Sequence, residues 1–240
     1  MNLVIDIGNT LAKAAVVDNS VVVDSYSGEE LGDLPLQELV AKYSLRRSIL
    51  CSTRGCGEVS AAYVRDIVGD CILLNGDVST PLQVKYDRQM LGRDRLAAAV
   101  GAYSVYGGET DLMVVDFGTA ITIDFISSDG VFEGGFISPG LSTRFRALHD
   151  YTARLPLCSA EGYVEGVATT TQDAIMGGVV NGIAYEIEGY IRERNEKKCN
   201  FLVIFSGGDS IFFDKRIKNT IFAGRDILFR GLDTILNYNE

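Results

Sequence analysis

Three short segments of the sequence carry residue types that can bind phosphate or a metal ion. Two of them, Asp6-Ile7-Gly8-Asn9-Thr10 and Asp116-Phe117-Gly118-Thr119-Ala120, share an aspartate, a glycine two residues later and a polar residue after it; the third is Ser206-Gly207-Gly208-Asp209. Glycine lets the backbone approach a ligand closely and permits a positive φ. Successive backbone N–H groups in such turns form an anion site, and a carboxylate can hold Mg²⁺ beside phosphate oxygens. Together the three loops predict a nucleotide site.

Taken alone, the first of these loops has a purely structural alternative, a hairpin turn with a capping aspartate. Lys13, three residues after Thr10, favours a phosphate site because its ammonium can reach a phosphate as a point charge. The sequence contains neither Gly-x-x-x-x-Gly-Lys-[Ser/Thr] nor Gly-x-Gly-x-x-Gly. The predicted nucleotide site is therefore neither a Walker loop nor a Rossmann turn.

A further cluster, Leu91-Gly92-Arg93-Asp94-Arg95, places one carboxylate between two guanidinium groups where a helix is predicted to begin. Asp94 could accept a proton from a substrate hydroxyl, while an arginine and the helix N-terminus bind a substrate carboxylate. The structural alternative makes Asp94 a helix N-cap and the arginines a solvated, charge-balanced turn. The segment by itself leaves both interpretations open.

The two aspartate loops occupy equivalent places in a repeated pattern. Apolar runs near residues 3–7, 11–17 and 21–26 predict three strands in a meander, and a second set of runs between residues 112 and 137 repeats the layout. A repeat near half the chain length indicates two equivalent lobes rather than a solenoid. We predict an N-terminal lobe of residues 1–108 and a C-terminal lobe of residues 109–240.

The remaining segments predict an α/β fold. Helical spacing of apolar residues, or a high alanine content, predicts helices over residues 34–43, 59–68, 94–106 and 171–194. Short apolar runs predict strands over 71–74 and 201–205. Gly177, Gly178 and Gly182 interrupt the last helical pattern, which suggests close packing of backbone or ligand there.

Composition excludes several classes of protein. The 240 residues are 47% hydrophobic and 22% charged, as in ordinary globular proteins, and the net charge of −10 argues against a nucleic-acid partner. No apolar run approaches the roughly 20 residues of a membrane helix, and the first residues lack the pattern of a secretory signal. Five cysteines without a Cys-x-x-Cys pair indicate reduced thiols. We expect a soluble cytoplasmic protein.

The chain resembles the type III pantothenate kinases of the acetate and sugar kinase/Hsp70/actin superfamily. The Gly-x-Asp-Arg and Gly-Gly-x-Ile-x-Pro-Gly runs are specific to that family, whereas Asp-x-Gly-Asn-Thr marks only the superfamily. The matching segments follow the order of the family from end to end: Asp6 to Thr10, Leu91 to Ala102, Asp116 to Ala120, Gly134 to Gly140, Thr171 to Ile175, and Gly231-Leu232.

The resemblance implies a fold and a reaction. The fold would be two duplicated ribonuclease-H-like lobes, as in actin-like ATPases, with a nucleotide cleft between the lobes. The reaction would be ATP-dependent phosphorylation of pantothenate to 4′-phosphopantothenate, the first step of coenzyme A biosynthesis. The resemblance also implies a homodimer that uses Mg²⁺ with ATP and a monovalent cation, K⁺ or NH₄⁺.

Residue roles follow by position from the same resemblance. Asp94 would be the catalytic base and Asp116 would bind the monovalent cation. The ATP site would comprise Asp6, Ile7, Gly8, Asn9, Thr10, Leu11, Ala12, Lys13 and Thr119. The pantothenate pocket would comprise Tyr86, Gly92, Arg93, Asp94, Arg95 and Thr171. Arg95 would bind the pantothenate carboxylate, and Thr171 would reach the pocket of the neighbouring subunit.

Three segments depart from the family pattern. Cys51-Ser52-Thr53-Arg54-Gly55 stands where the family often has a Ser-Val-Val-Pro-like turn, Ser206-Gly207-Gly208 replaces the usual Thr-Gly-Gly, and residues 87–90 lack a Thr-Pro element. Two other functions stay open at this point: a sugar or acyl kinase on the same scaffold, and a nucleotide-sensing regulator without turnover.

Overall fold

The first predicted meander is the start of a five-stranded sheet in the computed structural model, which describes residues 1–196, 201–217, 220–222 and 226–240. The strand order is β3-β2-β1-β4-β5, antiparallel within the meander and parallel from β1 onwards. A short 3₁₀ helix, Leu31–Asp33, follows the meander. The elements up to residue 106 are β1 (Asn2–Ile7), β2 (Ala12–Asp18), β3 (Val21–Gly28), α1 (Leu36–Tyr43), β4 (Ser48–Ser52), α2 (Gly57–Val68), β5 (Cys71–Leu73), β6 (Gln83–Val84) and α3 (Arg93–Tyr106).

The second predicted meander belongs to a six-stranded sheet. Its strand order is β11-β10-β7-β8-β9-β6, with β10 and β11 parallel, and β9 and β6 parallel. The elements of this part are β7 (Asp111–Phe117), β8 (Ala120–Ile126), β9 (Val131–Pro139), α4 (Leu141–Asp150), α5 (Thr171–Glu196), β10 (Phe201–Ser206), α6 (Ser210–Asp214), β11 (Thr220–Phe222) and α7 (Asp226–Tyr238).

Burial explains why these segments form sheets. Residues 3–7 of β1 are all buried, as expected of a central strand covered on both faces. The edge strand β3 is mostly exposed. The first sheet packs against α1 and α2 through a cluster of leucine, isoleucine, valine and alanine side chains, so the hairpin between β1 and β2 projects from a rigid layer.

The chain forms two compact units. The first contains Met1–Val114, Asp124–Gly134 and Arg225–Glu240, and the second contains Val115–Ile123 and Gly135–Gly224. The predicted lobe division between residues 108 and 109 stays a prediction. Both sheets with their helices give the predicted α/β fold class.

Two helices of the first unit pack backbone against backbone. A Cβ atom on Gly101 of α3 would overlap the carbonyl oxygen of Ile227 in α7, and one on Gly231 would overlap that of Ala97. The side chain of Asp233 in α7 accepts a hydrogen bond of 2.8 Å from Asn2 Nδ2 at the start of β1. The Gly231-Leu232 motif therefore serves the packing of α7.

The predicted helices over 34–43, 59–68, 94–106 and 171–194 are present as α1, α2, α3 and α5, and the predicted strands as β5 and β10. Helix α5 is continuous, and a Cβ on Gly178 would meet nothing within 4 Å, so the expected close packing of backbone is absent at this glycine; close packing of a ligand there stays a prediction. Among the described residues, no helix is both long and apolar enough to cross a membrane. The thiols of Cys51, Cys56, Cys71 and Cys158 are free, and Cys199 lies outside the described residues.

Candidate active site

The first aspartate hairpin connects β1 to β2 in the first unit. Asp6 is 4% exposed and is paired in register with Lys13, whose Nζ lies 4.0 Å from Asp6 Oδ2. The N–H of Gly8 donates to the carbonyl of Leu11 at 3.0 Å, which closes the hairpin. Gly8 does not adopt a positive φ; instead, its missing side chain leaves the tip open beside the Asp6 carboxylate, where a Cβ would lie 3.9 Å from Oδ2.

The turn after β4 is fixed to this hairpin. Thr53 donates from its backbone N–H and from its Oγ1 to the carbonyl of Ile7, at 3.0 and 3.2 Å. Arg54 Nε donates to the carbonyl of Gly8 at 2.8 Å, and Nη2 donates to that of Asn9 at 3.4 Å. The hairpin and the turn that departs from the family pattern are thus one hydrogen-bonded structure.

The second aspartate hairpin connects β7 to β8 in the second unit. Asp116 is half-buried at the end of β7, and Thr119 is exposed at the tip. The N–H of Gly118 donates to the carbonyl of Ala120 at 3.1 Å, as Gly8 does to Leu11. The carbonyl of Thr119 accepts from the N–H of Gly140 at 3.0 Å. The two hairpins therefore share the glycine donor, although the first bond spans three residues and the second spans two.

Asp94 lies in the first turn of α3. The helix begins at Arg93 with Gly92 as its N-cap, and Asp94 Oδ1 accepts the N–H of Arg95 at 2.9 Å. The alternative in which Asp94 is the N-cap is wrong, because the helix begins one residue earlier. The carboxylate is half-buried and lies at the end of the helix where the backbone dipole is positive.

A buried thiol relates Asp94 to the first hairpin. Burial raises the pKa of Cys51 well above its usual value, and the negative charges of Asp6 and Asp94 raise the pKa further. The positive charge of Arg93 lowers the pKa of the same thiol. Cys51 is also the register partner of Asp6 in β4. Asp6 and Asp94 therefore lie in one neighbourhood of the first unit.

Arg95 is buried in an ion pair rather than solvated. Its side chain is 5% exposed, and it donates through Nε and Nη2 to Asp124 at 3.1 and 2.5 Å. Burial alone would lower the pKa of Arg95, but the hydrogen bond and charge of Asp124, together with a hydrogen bond to Tyr86, raise it. The guanidinium lies 5.6 Å from the ring centroid of Tyr86 and 5.9 Å from that of Phe132. The solvated-turn alternative is therefore wrong for Arg95.

The remaining predicted pocket residues are separated along the chain. Arg93 donates to the carbonyl of Gln89 at 3.2 Å and so orders the turn before α3. Thr171 is exposed as the first residue of α5. It belongs to the second unit, as do Asp116 and Thr119. Within the described ranges, no group of three or more histidine, cysteine or acidic side chains could hold a metal ion.

Sequence reasoning missed Asp124 and the contacts of Arg54. Asp124 carries a weak signal, a lone carboxylate in the apolar strand β8, since a buried charge needs a partner. Arg54 lies in a segment that had been noted only as a departure from the family pattern.

Solved structures share this fold. A Baf family protein from Campylobacter jejuni superposes with a TM-score of 0.66 at 24% identity, over 99% of this chain and 98% of that chain. A glucokinase from an Antarctic psychrotroph gives a TM-score of 0.51 at 11% identity, over 99% and 98%. These likenesses give the fold class: an α/β fold that also occurs in sugar kinases and actin-like ATPases.

Sequence comparison identifies the family within that class. The family model described as type III pantothenate kinase matches residues 2–193. A type III pantothenate kinase from Bacteroides fragilis is 40% identical, over all of this chain and 99% of its own length. Another from Porphyromonas gingivalis strain W83 is 39% identical, over 99% and 98%. The chain belongs to the type III pantothenate kinase family.

Proposed function

We propose that this chain transfers the γ-phosphoryl group of ATP to the primary hydroxyl of pantothenate, giving 4′-phosphopantothenate in the first step of coenzyme A biosynthesis. One arrangement supports this most: α3, which carries Asp94 in its first turn, packs against β4, whose Cys51 is the register partner of Asp6. A proton acceptor and a phosphate hairpin in one neighbourhood provide what phosphoryl transfer to an alcohol requires, which is alignment and charge neutralisation.

Asp94 is the general base of this proposal. It accepts the proton of the pantothenate hydroxyl and orients that oxygen towards phosphorus, which contributes roughly 10²–10⁴ in rate. Its half-buried place in the first turn of α3 supports the role, because the carboxylate stays accessible while its backbone is fixed by the helix.

The ATP site of the proposal comprises residues 6–13 of the first hairpin and Thr119 of the second. Lys13, at 4.0 Å from Asp6, neutralises phosphate charge. Mg²⁺ that arrives with ATP neutralises further charge, and Asp6 would hold it, since Mg²⁺ is usually bound by one or two carboxylates together with substrate phosphates. Asp116 would hold K⁺ or NH₄⁺; its carboxylate oxygen lies beside the open Cβ side of Gly118, at 3.6 Å from that position.

The pantothenate pocket of the proposal comprises Tyr86, Gly92, Arg93, Arg95 and Thr171. Asp124 occupies one edge of the Arg95 guanidinium, so Arg95 alone does not offer a full positive charge. The carboxylate of pantothenate would therefore be bound by Arg95 together with the positive N-terminus of α3.

We also infer a cytoplasmic homodimer. The exposed Thr171 supports a contribution to the pocket of a neighbouring subunit, because nothing in its own helix covers it. Sedimentation analysis checks the dimer, and a Thr171→Ala variant that keeps the dimer but raises the KM for pantothenate would place this residue in the pocket.

A coupled assay of ADP release with pantothenate, Mg²⁺ and K⁺ tests the function directly. Asp94→Asn should keep its fold and its ATP affinity but lower turnover by at least about 10². Asp66→Asn, which changes an exposed aspartate of α2, is the matched control and should leave turnover unchanged.

The same assay separates the alternatives. Turnover with a sugar or an acyl acceptor but not with pantothenate would reject the proposal in favour of another kinase. ATP binding without any turnover would indicate a nucleotide-sensing protein. Unchanged turnover in Asp94→Asn would remove Asp94 from the role of base.

A further inference from the structure

Three consecutive carbonyl groups of the first hairpin are bound by one turn of the chain. The carbonyl of Ile7 accepts from Thr53, at 3.0 Å from its N–H and 3.2 Å from its Oγ1. The carbonyls of Gly8 and Asn9 accept from Arg54 at 2.8 and 3.4 Å. Carbonyls at the tip of a hairpin usually accept hydrogen bonds from water. This set of bonds therefore fixes peptide groups that would otherwise be able to rotate.

The direction of these carbonyls determines the direction of the amides that follow. A trans peptide is planar, and its C=O and N–H point in opposite directions; the chain has no cis peptide bond among the described residues. When Arg54 binds the carbonyls of Gly8 and Asn9, the N–H groups of Asn9 and Thr10 therefore point away from Arg54. An anion nest depends on this kind of shared amide orientation.

We propose that Arg54 is a positioning residue for the phosphates of the nucleotide: it orients the amides of Asn9 and Thr10 towards the triphosphate without touching it. The proposal rests on the proposed function only in taking this hairpin as the phosphate site. Rotation of either peptide would turn a carbonyl oxygen towards the phosphate, and two negative groups would then repel each other.

Arg54 is not itself a phosphate ligand, because each of its nitrogens is engaged. Nε binds the carbonyl of Gly8, Nη1 binds Glu30 Oε2 at 2.8 Å, and Nη2 binds the carbonyls of Asn9 and Glu29. Glu30 also neutralises the charge of the guanidinium. The residue acts through the backbone of the hairpin, so its loss should affect the affinity for nucleotide more than the affinity for the alcohol substrate.

The chain offers a matched control. Arg47 donates from Nη2 to the carbonyl of Leu236 at 3.0 Å and forms an ion pair with Glu240. Like Arg54, it binds one carboxylate and donates to the backbone, but to one carbonyl instead of three, and at the end of α7 instead of the hairpin. Replacing either arginine by methionine keeps the aliphatic stem and removes all the donors.

The test measures the dissociation constant of ATP by calorimetry without pantothenate, and the KM of each substrate in the coupled assay. Arg54→Met should weaken ATP binding and raise the KM for ATP by about 10-fold, since it removes charged hydrogen bonds that order the nest. The KM for pantothenate should change less than about 2-fold. Arg47→Met should leave ATP binding and the KM of each substrate within about 2-fold of the wild-type values. It should lower the free energy of unfolding about as much as Arg54→Met does.

Two further variants keep the proposal open to rejection. Arg54→Lys preserves the charge but lacks the planar fork that reaches two carbonyls, so ATP should still bind at least about 3-fold more weakly; it also carries the test if the methionine variant does not fold. Glu30→Gln removes the ion pair but leaves the carbonyl bonds, and should bind ATP normally. An Arg54→Lys enzyme with unchanged affinity, or a Glu30→Gln enzyme as weak as Arg54→Met, would overturn the proposal.

The failure of the proposed function would look different. An enzyme that binds ATP with the predicted dependence on Arg54 but never phosphorylates pantothenate would reject the reaction and retain the positioning role. Equal losses for both substrates in Arg54→Met and in Arg47→Met would reject the positioning role and retain the reaction.

Discussion

The two aspartate hairpins are closed by the same kind of glycine N–H bond, across turns of different length, and are supported in different ways. In each, a glycine two residues after the aspartate donates its N–H across the turn, at 3.0 Å in the first and 3.1 Å in the second. The first is supported by the side chains of Thr53 and Arg54. The second is supported mainly by backbone N–H groups, those of Gly140 and Asp209, which donate to the carbonyls of Thr119 and Phe117.

The comparison shows that a repeated hairpin can be stabilised either by side-chain contacts or by backbone contacts. Backbone support requires close approach, so glycine is needed: a Cβ on Gly140 would overlap the carbonyl of Gly118, and one on Gly207 would overlap the backbone of Phe117. A side chain can span a wider gap between two backbone segments, so the residues that provide this support can vary in sequence. In line with this, the turn after β4 that supports the first hairpin departs from the family pattern, while the glycines around the second hairpin match it.

The largest expected effect concerns the backbone support of the second hairpin. Gly207→Ala should lower the free energy of unfolding by about 3 kcal/mol, because the residue has φ of 93° and its new Cβ would meet Phe117. Gly208→Ala is the adjacent control, since a Cβ there would meet nothing within 4 Å. Urea denaturation measures both, and equal stabilities for the two variants would contradict the claim that glycine is needed for approach.

The next prediction compares the roles of the two hairpin aspartates, Asp6 and Asp116. Asp6→Asn should lower kcat/KM for ATP by about 100-fold, because it removes the buried carboxylate proposed to hold Mg²⁺. Asp116→Asn should act instead on the monovalent cation. Wild-type enzyme should lose about 10-fold of its activity when Na⁺ replaces K⁺, and Asp116→Asn should abolish that difference. Wild-type rates that ignore the monovalent cation would remove Asp116 from this role.

The smallest effect concerns the two threonine hydroxyls that support the hairpins. Thr53 Oγ1 donates to Ile7 at 3.2 Å, and Thr143 Oγ1 donates to Thr119 at 2.7 Å. Each accepting carbonyl also has a backbone donor, so replacement of either threonine by valine should cost only about 1 kcal/mol of unfolding free energy. A loss above about 3 kcal/mol in thermal or urea unfolding would show that the hydroxyl, not the backbone, is the main support.

The repeated strands could be predicted from sequence because their signal is local. Apolar runs interrupted by turn residues determine β1 to β3 and β7 to β9, and the aspartate and glycine of each loop fall at the same place in both. The two-residue strand β6 carries no such pattern, since it exists only through its pairing with β9. The short helix α6 is likewise too brief for helical spacing to appear.

The side-chain contacts of the candidate site were less predictable because they join residues far apart in sequence. Asp94 could be recognised from the residues next to it in sequence. Asp6, whose charge acts on the same Cys51 thiol as that of Asp94, is far from Asp94 in sequence. The pairing of Arg95 with Asp124 spans 29 positions, and that of Arg54 with Gly8 spans 46. No local pattern in one sequence indicates which carbonyl or carboxylate a buried arginine will meet.

The membership of α7 in the first unit affects how the chain is made. The residues of this helix leave the ribosome after the other segments of the first unit, yet they fill the space against α3 where Gly101 and Gly231 permit contact. The first unit cannot complete its core while it is being synthesised, although domains usually fold in order of their emergence. A nascent chain arrested before residue 226 should therefore be cut readily by protease within the first unit, and a released chain should not.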